Sequence, residues 1–344
     1  MPEETNSLGE NPSMSQFILA HLNALSVNTP EHVQMAVNLV EIDVNGLSKS
    51  LYCRDFTEND KPFHLASMSK QFFAAGLLHL IESSNGEKSI EDFVGDYIPS
   101  WPEYASQVKL KHLLNHSSGL QEYTNNAFTY LKNTNNPATI LRFIKNRNTL
   151  IQAPGRLMLY TNTNYVLIAF LIELIAVKSI SRFMQETFFE PLRMNNTFIF
   201  GGKGKKPKTI TNYYSLPRFK FIPAVPTNND FMPGDGGIYT TLPDLQKWAL
   251  FLSGKSVLGD RVSSKMMEAI PLEINVPSTY GYGLHIKNSN VWHSGSWNGA
   301  TSFCRFYKSD GQKPFVWYVA LANSDFFEPS RMVSAMKNAY YAFK

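Results

Sequence analysis

Cysteine is nearly absent: Cys53 and Cys304 are the only two in 344 residues. No disulfide framework can be built from so few, and because each sits in an apolar stretch both are expected to be buried thiols, with a pairing between them left open. Charge is also sparse, at 17% Asp, Glu, Lys and Arg, and the formal net charge of +4 is spread along the chain. That balance implies no nucleic-acid partner and no acidic one. Long apolar runs are missing too. The longest, Tyr165 to Ile172, meets Glu173 well short of the roughly 20 residues a membrane span needs, so it reads as a buried helix and no transmembrane segment is expected. The first ten residues lack the basic start and apolar core of a secretory leader. The chain therefore reads as cytoplasmic as it stands, or as periplasmic or secreted if a leader was trimmed. Gly-x-Gly-x-x-Gly and P-loop patterns are absent, which argues against a nucleotide enzyme, and no cofactor is expected. No Gly-x-Ser-x-Gly elbow exists, which removes the α/β-hydrolases.

What is present is apolar content, 43% of the chain, enough for one large unit or two subdomains around a substantial core. The one dense basic run, Lys203, Lys205, Lys206 and Lys208, lies among glycines and Pro207 and reads as a solvated loop tip.

Helical spacing from Ser15 to Leu25 is followed by two strand-like stretches, Val33 to Val44, with apolar and polar residues alternating, and Leu51 to Phe56. Asn45-Gly46 between them signals a hairpin. From Ser67 the pattern turns helical and stops at Asn85-Gly86. The middle, about Ser89 to Asn229, reads as short helices joined by proline- and asparagine-rich turns. A helix is then expected from about Pro243 to Leu252. Strands follow at Gly281 to Ile286, Val291 to His293, Thr301 to Tyr307 and Phe315 to Ala322, and a last helix runs from Ser330 to about Lys344. Strands at both ends and helices between predict an α+β fold: an antiparallel sheet flanked by terminal helices, with a mostly helical subdomain inserted. The expected division is residues 15–80 with 235–344 against 81–234, and residues 1–14 are expected to be flexible.

Three short motifs carry chemistry. Ser67-Met68-Ser69-Lys70 opens the apolar helix, so Ser67 and Lys70 share a face. A plain reading is a capping serine and a surface lysine. A lysine in a first helical turn, however, faces the positive end of the helix dipole, and a reason is needed for it to be there. An amine beside a serine hydroxyl, placed to act as a general base, is such a reason. Two rival Ser-x-x-Lys sets, Ser106 to Lys109 and Ser334 to Lys337, lack that setting.

Tyr160-Thr161-Asn162 stands at a loop-to-helix step, where Tyr160 could relay a proton and Asn162 could orient a lysine and a substrate carbonyl, or merely cap. A competing triplet, Tyr123-Thr124-Asn125, shows how unspecific this pattern is. His293-Ser294-Gly295 ends a short strand and is followed by Ser296. A glycine there lets a backbone or substrate approach closely, and the edge can offer N–H groups to an oxyanion.

In this order the triplets resemble the motif set of the serine β-lactamases and penicillin-binding proteins, in the branch holding class C β-lactamases, D-alanyl-D-alanine carboxypeptidases, D-aminopeptidases and esterases. Leu110 to Leu120, Pro154 to Tyr165, Pro191 to Thr197 and Gly234 to Asp244 are similar to the same branch.

The resemblance implies a β-lactamase/transpeptidase-like fold from about 33 to 325, and a small-molecule or peptide acyl substrate. Ser67 would attack the carbonyl, Lys70 and Tyr160 would handle its proton, and Asn162 would position Lys70 and the substrate amide. His293 would line the opposite wall, near a substrate carboxylate or the Tyr160 hydroxyl. The N–H groups of Ser67 and Ser296 would form an oxyanion hole beside Gly295. The sequence departs from the family pattern in two places. His293 stands where most β-lactamases carry lysine, which favours a peptidase or esterase. Asp235 replaces a small residue, which makes the cleft wall more acidic.

The i, i+4 pair His112 and His116 falls inside a family-like stretch without a third ligand, so no metal site is expected. The competing reading is a penicillin-binding sensor or assembly protein with the same fold and little turnover.

Overall fold

The computed structural model describes residues 13–26, 28–54, 61–98, 101–102, 106–125, 137–147, 149–199, 208–227, 230, 232–268, 270, 272–274, 279–307 and 313–344. The helices among them are α1 (Met14–Leu25), α2 (Lys70–Glu82), α3 (Val94–Tyr97), α4 (Leu110–Leu114), α5 (Pro137–Lys145), α6 (Asn162–Ala176), α7 (Ile180–Met184), α8 (Leu242–Leu252), α9 (Arg261–Met266) and α10 (Pro329–Ala342). The strands are β1 (Met35–Ile42), β2 (Ser48–Arg54), β3 (Phe63–His64), β4 (Phe198–Ile199), β5 (Tyr213–Leu216), β6 (Lys220–Pro223), β7 (Ile238–Thr240), β8 (Thr279–Tyr280), β9 (His285–Lys287), β10 (Asn290–Trp297), β11 (Ala300–Tyr307) and β12 (Phe315–Ala322).

The main sheet has the order β2-β1-β12-β11-β10-β9-β8, and every pairing is antiparallel. The α+β architecture expected from the sequence is therefore the one observed. Strands from the two halves of the chain meet within it, next to the edge strand β2, where β1 pairs with β12 from Met35 opposite Ala322 to Ile42 opposite Phe315. Alternate residues of these strands feed two apolar layers. Val40, Ile42, Trp317, Val319 and Leu321 pack toward the core that includes α2 and α6, while Val37, Leu39, Tyr318 and Ala320 pack toward α1 and α10. Covering both faces explains why β1 is buried almost throughout, Asn38 included, where the alternation of its residues predicts one exposed face.

Other expectations need correction. Residues 281 to 286 do not form one strand: β8 and β9 are a tight hairpin, Tyr280 opposite His285, turned through Gly281–Gly283. The hairpin β5–β6 lies in a region read as helical. Cys304 is buried, but Cys53 is exposed, because β2 is an edge strand with an outward face. The two are not joined by a disulfide. At the N-terminus, Ser13 and Met14 belong to α1, which Ser13 and Gln16 close with a reciprocal capping box. The expected flexibility of residues 1–12 lies outside the described residues, as do Lys203, Lys205 and Lys206; Lys208 is exposed. No helix among the described residues is long and apolar enough to cross a membrane.

Candidate active site

The chain enters the site along β3, which pairs with β7, and then turns through a 3₁₀ segment, Ala66–Ser69, directly into α2. Ala66 has φ +48, a left-handed conformation that only the surrounding packing sustains in a residue with a Cβ. Within the turn only Ser67 keeps partial exposure. The strained step thus presents the Ser67 hydroxyl to the cleft while its neighbours are sealed.

Lys70 is the first residue of α2 and is 0% exposed. Burying an amine without partners would be very unfavourable. Its Nζ donates to Ser67 Oγ at 2.9 Å, Asn162 Oδ1 at 2.9 Å and the Asp235 carbonyl oxygen at 2.8 Å. Three acceptors match the three hydrogens of an ammonium group. Gly234 makes the third bond reachable: at φ +110 it passes so close to α6 that an added Cβ would lie 2.1 Å from the Tyr165 carbonyl oxygen.

Asn162 begins α6, yet its side chain serves Lys70 and does not cap. The helix start is served by other groups. The Asn162 N–H donates to Glu122 Oε2 at 2.6 Å, a carboxylate at the positive end of a helix. The Thr161 N–H donates to His116 Nδ1 at 3.3 Å, and the Leu159 N–H to the His116 carbonyl at 2.8 Å. Thr163 accepts from the Tyr123 N–H at 2.9 Å and donates to the Gln121 carbonyl at 2.6 Å. Residues 116–123 and 159–163 are thereby zipped together, and the loop carrying Tyr160 is held from both sides. His116, itself at φ +59, stacks on Tyr160 with ring centres 4.1 Å apart. Tyr160 is 40% exposed, and its ring face lies 5.0 Å from Lys70 Nζ.

The opposite wall is β10. An added Cβ on Gly295 would lie 2.4 Å from the Leu65 carbonyl oxygen and 3.0 Å from the Met68 nitrogen, so the strand backbone rests directly on the Ser67 turn. Ser302 of β11 ties the two together by donating to the Leu65 carbonyl at 2.7 Å. Ser296 follows and lines the cleft with Ser67, as does Trp297. The Trp297 indole N–H donates to Asp230 at 2.7 Å and Asn298 Nδ2 donates to the same carboxylate at 2.9 Å, which anchors the turn after Ser296.

His293 is close to the site but not on the cleft surface. Its ring centre is 6.5 Å from that of Tyr160, and the residue is 1% exposed. Nδ1 lies 2.6 Å from the Ser294 carbonyl, which can only accept, so Nδ1 carries the hydrogen. Burial first, then His285 and Lys70, hold this imidazole well below its ordinary pKa. In the neutral ring Nε2 accepts, at 2.8 Å, from the Tyr280 hydroxyl. The expectation that His293 faces a substrate carboxylate or the Tyr160 hydroxyl is thus corrected: Tyr280 occupies that nitrogen.

The cleft, of about 60 Å³, is lined by Ser67, Asn162, Ser296, Trp297, Tyr123 and Asp235 among others. Asp235 was noted in the sequence as an acidic departure; Tyr123 was noted only as part of a rival triplet. They meet here: the Tyr123 hydroxyl donates to Asp235 Oδ2 at 2.5 Å. Burial raises the Asp235 carboxyl to about 6 against the opposing pull of Lys70 and Tyr123.

The rival motifs have ordinary roles. Lys109 pairs with Glu91, and Ser334 bonds the Ser330 carbonyl within α10. His112 accepts from the Lys109 N–H, and no metal-binding cluster occurs among the described residues.

Penicillin-binding protein 4* of Bacillus subtilis is 29% identical over 278 residues, 74% of this chain and 60% of that protein. A D-aminopeptidase of Gluconobacter oxydans is 24% identical over 225 residues, 64% of this chain and 42% of its own length. The chain thus aligns with only about half the length of these relatives. Among solved structures, the octameric penicillin-binding protein homologue from Pyrococcus abyssi superposes with a TM-score of 0.76 at 22% identity, covering 95% of this chain and 77% of that one. The fold is therefore shared with the β-lactamase and penicillin-binding proteins. The sequence profile of the Beta-lactamase family matches residues 54–339, which contain the Ser67 turn, the Asn162 helix and the Gly295 strand, and the chain belongs to that family.

Proposed function

We propose that this chain is a serine hydrolase that forms an acyl-enzyme at Ser67 and cleaves amide or ester bonds of D-amino-acid peptides, β-lactams or small esters. The observation that carries the reading is the 2.9 Å bond between Lys70 Nζ and Ser67 Oγ at the floor of a cleft. Ser67 Oγ attacks the carbonyl carbon and its proton passes to Lys70 Nζ, which has a lone pair on that line once it holds two hydrogens. The N–H groups of Ser67 and Ser296 stabilise the oxyanion. As the tetrahedral intermediate collapses, the proton goes to the leaving nitrogen or oxygen, by way of the Tyr160 hydroxyl, and the acyl group stays on Oγ. Water then attacks the ester, loses a proton along the same route, and Oγ leaves as the hydroxyl. Asn162 holds Lys70 in line and offers its amide N–H to the acyl carbonyl side of the substrate. His293 contributes by fixing Tyr280 behind Tyr160. The names of the relatives, a penicillin-binding protein and a D-aminopeptidase, support the substrate range.

Intact mass followed over time after adding a penicillin or a D-amino-acid amide tests this. An adduct or turnover in the wild type, absent in Ser67→Ala, is expected. Adduct formation at an undiminished rate in Ser67→Ala removes the assignment, and a wild type that is acylated but turns over no substrate favours a sensor.

A further inference from the structure

We infer that the Asp235 carboxylate is a specificity-determining group that binds the free ammonium of an amino-acyl substrate beside Ser67. This rests on the acyl-enzyme reading above and narrows it to acyl donors carrying an amine near the scissile carbonyl.

The argument is one of charge complementarity inside the cleft. Asp235 lines it together with Ser67 and Asn162. Glu122 stands behind the same wall, holding the Asn162 N–H at 2.6 Å. Against these two carboxylates the one cation at the site among the described residues is Lys70, and its three bonds go to a hydroxyl, an amide oxygen and a backbone carbonyl. Among the described residues neither carboxylate has a lysine or arginine partner within ion-pair distance.

Among the described residues the opposite wall presents no cationic side chain to a substrate carboxylate. The side chain at the family's lysine position is His293, which is neutral, buried and bound to Tyr280. A substrate ending in a carboxylate would meet no cation on β10 and a repelling charge at Asp235.

Asp235 is also held for use. Tyr123 fixes one of its oxygens at 2.5 Å, and a carboxylate has further acceptor positions for a ligand N–H. The backbone of the same residue ligates Lys70, so the anion is fixed relative to the nucleophile's own partner. An ammonium bound there would relieve the burial that lifts this carboxyl to about 6.

The test compares D-alanine p-nitroanilide with isobutyryl p-nitroanilide, which differ by an ammonium in place of a methyl. We expect wild-type kcat/KM to favour the amine-bearing substrate about 10- to 100-fold, the range of one charge-assisted hydrogen bond. Asp235→Asn, which keeps the shape and the acceptor for Tyr123, should lower that ratio about 10-fold or more. A wild type that turns over both equally, or prefers the isobutyryl compound, overturns the subsite, and it does so whether or not the variant folds. An unchanged ratio in a folded Asp235→Asn overturns it as well. No turnover of either compound together with no Ser67 adduct from any acylating agent overturns the acyl-enzyme reading itself.

Discussion

Lys70 Nζ and the carbonyl oxygen of Asp235 lie 2.8 Å apart although 165 residues separate them, so the amine next to the Ser67 hydroxyl is held by a backbone from a distant part of the chain. The bond joins the first turn of α2 to the stretch just before β7. Lys70 is therefore fixed by tertiary structure as well as by its own helix.

Replacing Lys70 by methionine tests what the amine supplies. Methionine fills similar volume without charge, and it leaves Asn162 Oδ1 and the Asp235 carbonyl without their donor. Loss of a general base costs about 10²- to 10⁴-fold in rate. We expect Ser67 acylation, followed by stopped-flow or intact mass, to slow by that amount, while denaturant unfolding stays cooperative. An acylation rate within a few-fold of wild type would remove Lys70 from the mechanism.

Gly295→Ala separates close approach from side-chain chemistry. The new Cβ would sit 2.4 Å from the Leu65 carbonyl and 2.5 Å from Ser302 Oγ, so β10 must move off the Ser67 turn. Overpacking of this kind costs about 1–3 kcal/mol. The urea midpoint should fall accordingly, and kcat/KM should fall further than stability alone explains, because Ser296 moves with the strand. A variant with wild-type kcat would show that Ser296 is not part of the oxyanion site.

Legibility in the sequence divides along these lines. Ser67 and Lys70 could be read because an i, i+3 pair at a helix start is a local pattern. The sheet could be read from its strand-like ends, whereas Asn162 stands out only through the joint resemblance of the three triplets, because a loop-to-helix step alone suits a cap equally well. Asp235 and Tyr123 could be seen singly, but their pairing depends on how two segments 112 residues apart meet, which no local spacing encodes. Glu122 gave even less signal, since an acidic residue in a polar loop is usually solvated. His293 reads as the end of a short strand, whereas β10 continues to Trp297, and its orientation depends on Tyr280, across a hairpin that reads as one strand.

His116 joins these as a positioning residue for Tyr160 and Asn162. Burial, then Lys70 and His293, keep its imidazole neutral, and Nδ1 accepts from Thr161 N–H and Asn164 Nδ2, both at 3.3 Å. His116→Asn tolerates φ +59 but removes the ring stacked on Tyr160. The expected result is a kcat lowered about 10-fold, with KM changing less and the pH profile unmoved, because neutral His116 does not titrate near pH 7. A new pH dependence, or loss of KM alone, would contradict a positioning role.

Acid stability provides the last test, because several imidazoles are buried uncharged. Burial lowers His64, His112 and His285 to about 4, and places His116 and His293 well below their ordinary value of 6.5. In the unfolded chain these rings bind protons below about 6.5; in the folded chain they do not until much lower. Their contribution to stability is complete above that pH and is lost as the pH falls toward the folded values. Each group contributes a slope of about 1.4 kcal/mol per pH unit within that window. Asp235 acts in the opposite sense. Its carboxyl is raised from 3.8 to about 6, so across that interval the folded state holds a proton that the unfolded state has released, and stability falls as the pH rises. Near pH 5 the histidines outnumber it, and unfolding should take up about two to four protons, read from the pH dependence of urea midpoints. Asp235→Asn removes the one opposing carboxyl among the described residues: it should raise the midpoint at pH 7, steepen the acid loss below pH 6, and converge with wild type near pH 4. A midpoint at pH 7 lower than wild type would mean that the carboxylate is stabilised by its surroundings, contrary to an anion waiting for a cationic ligand.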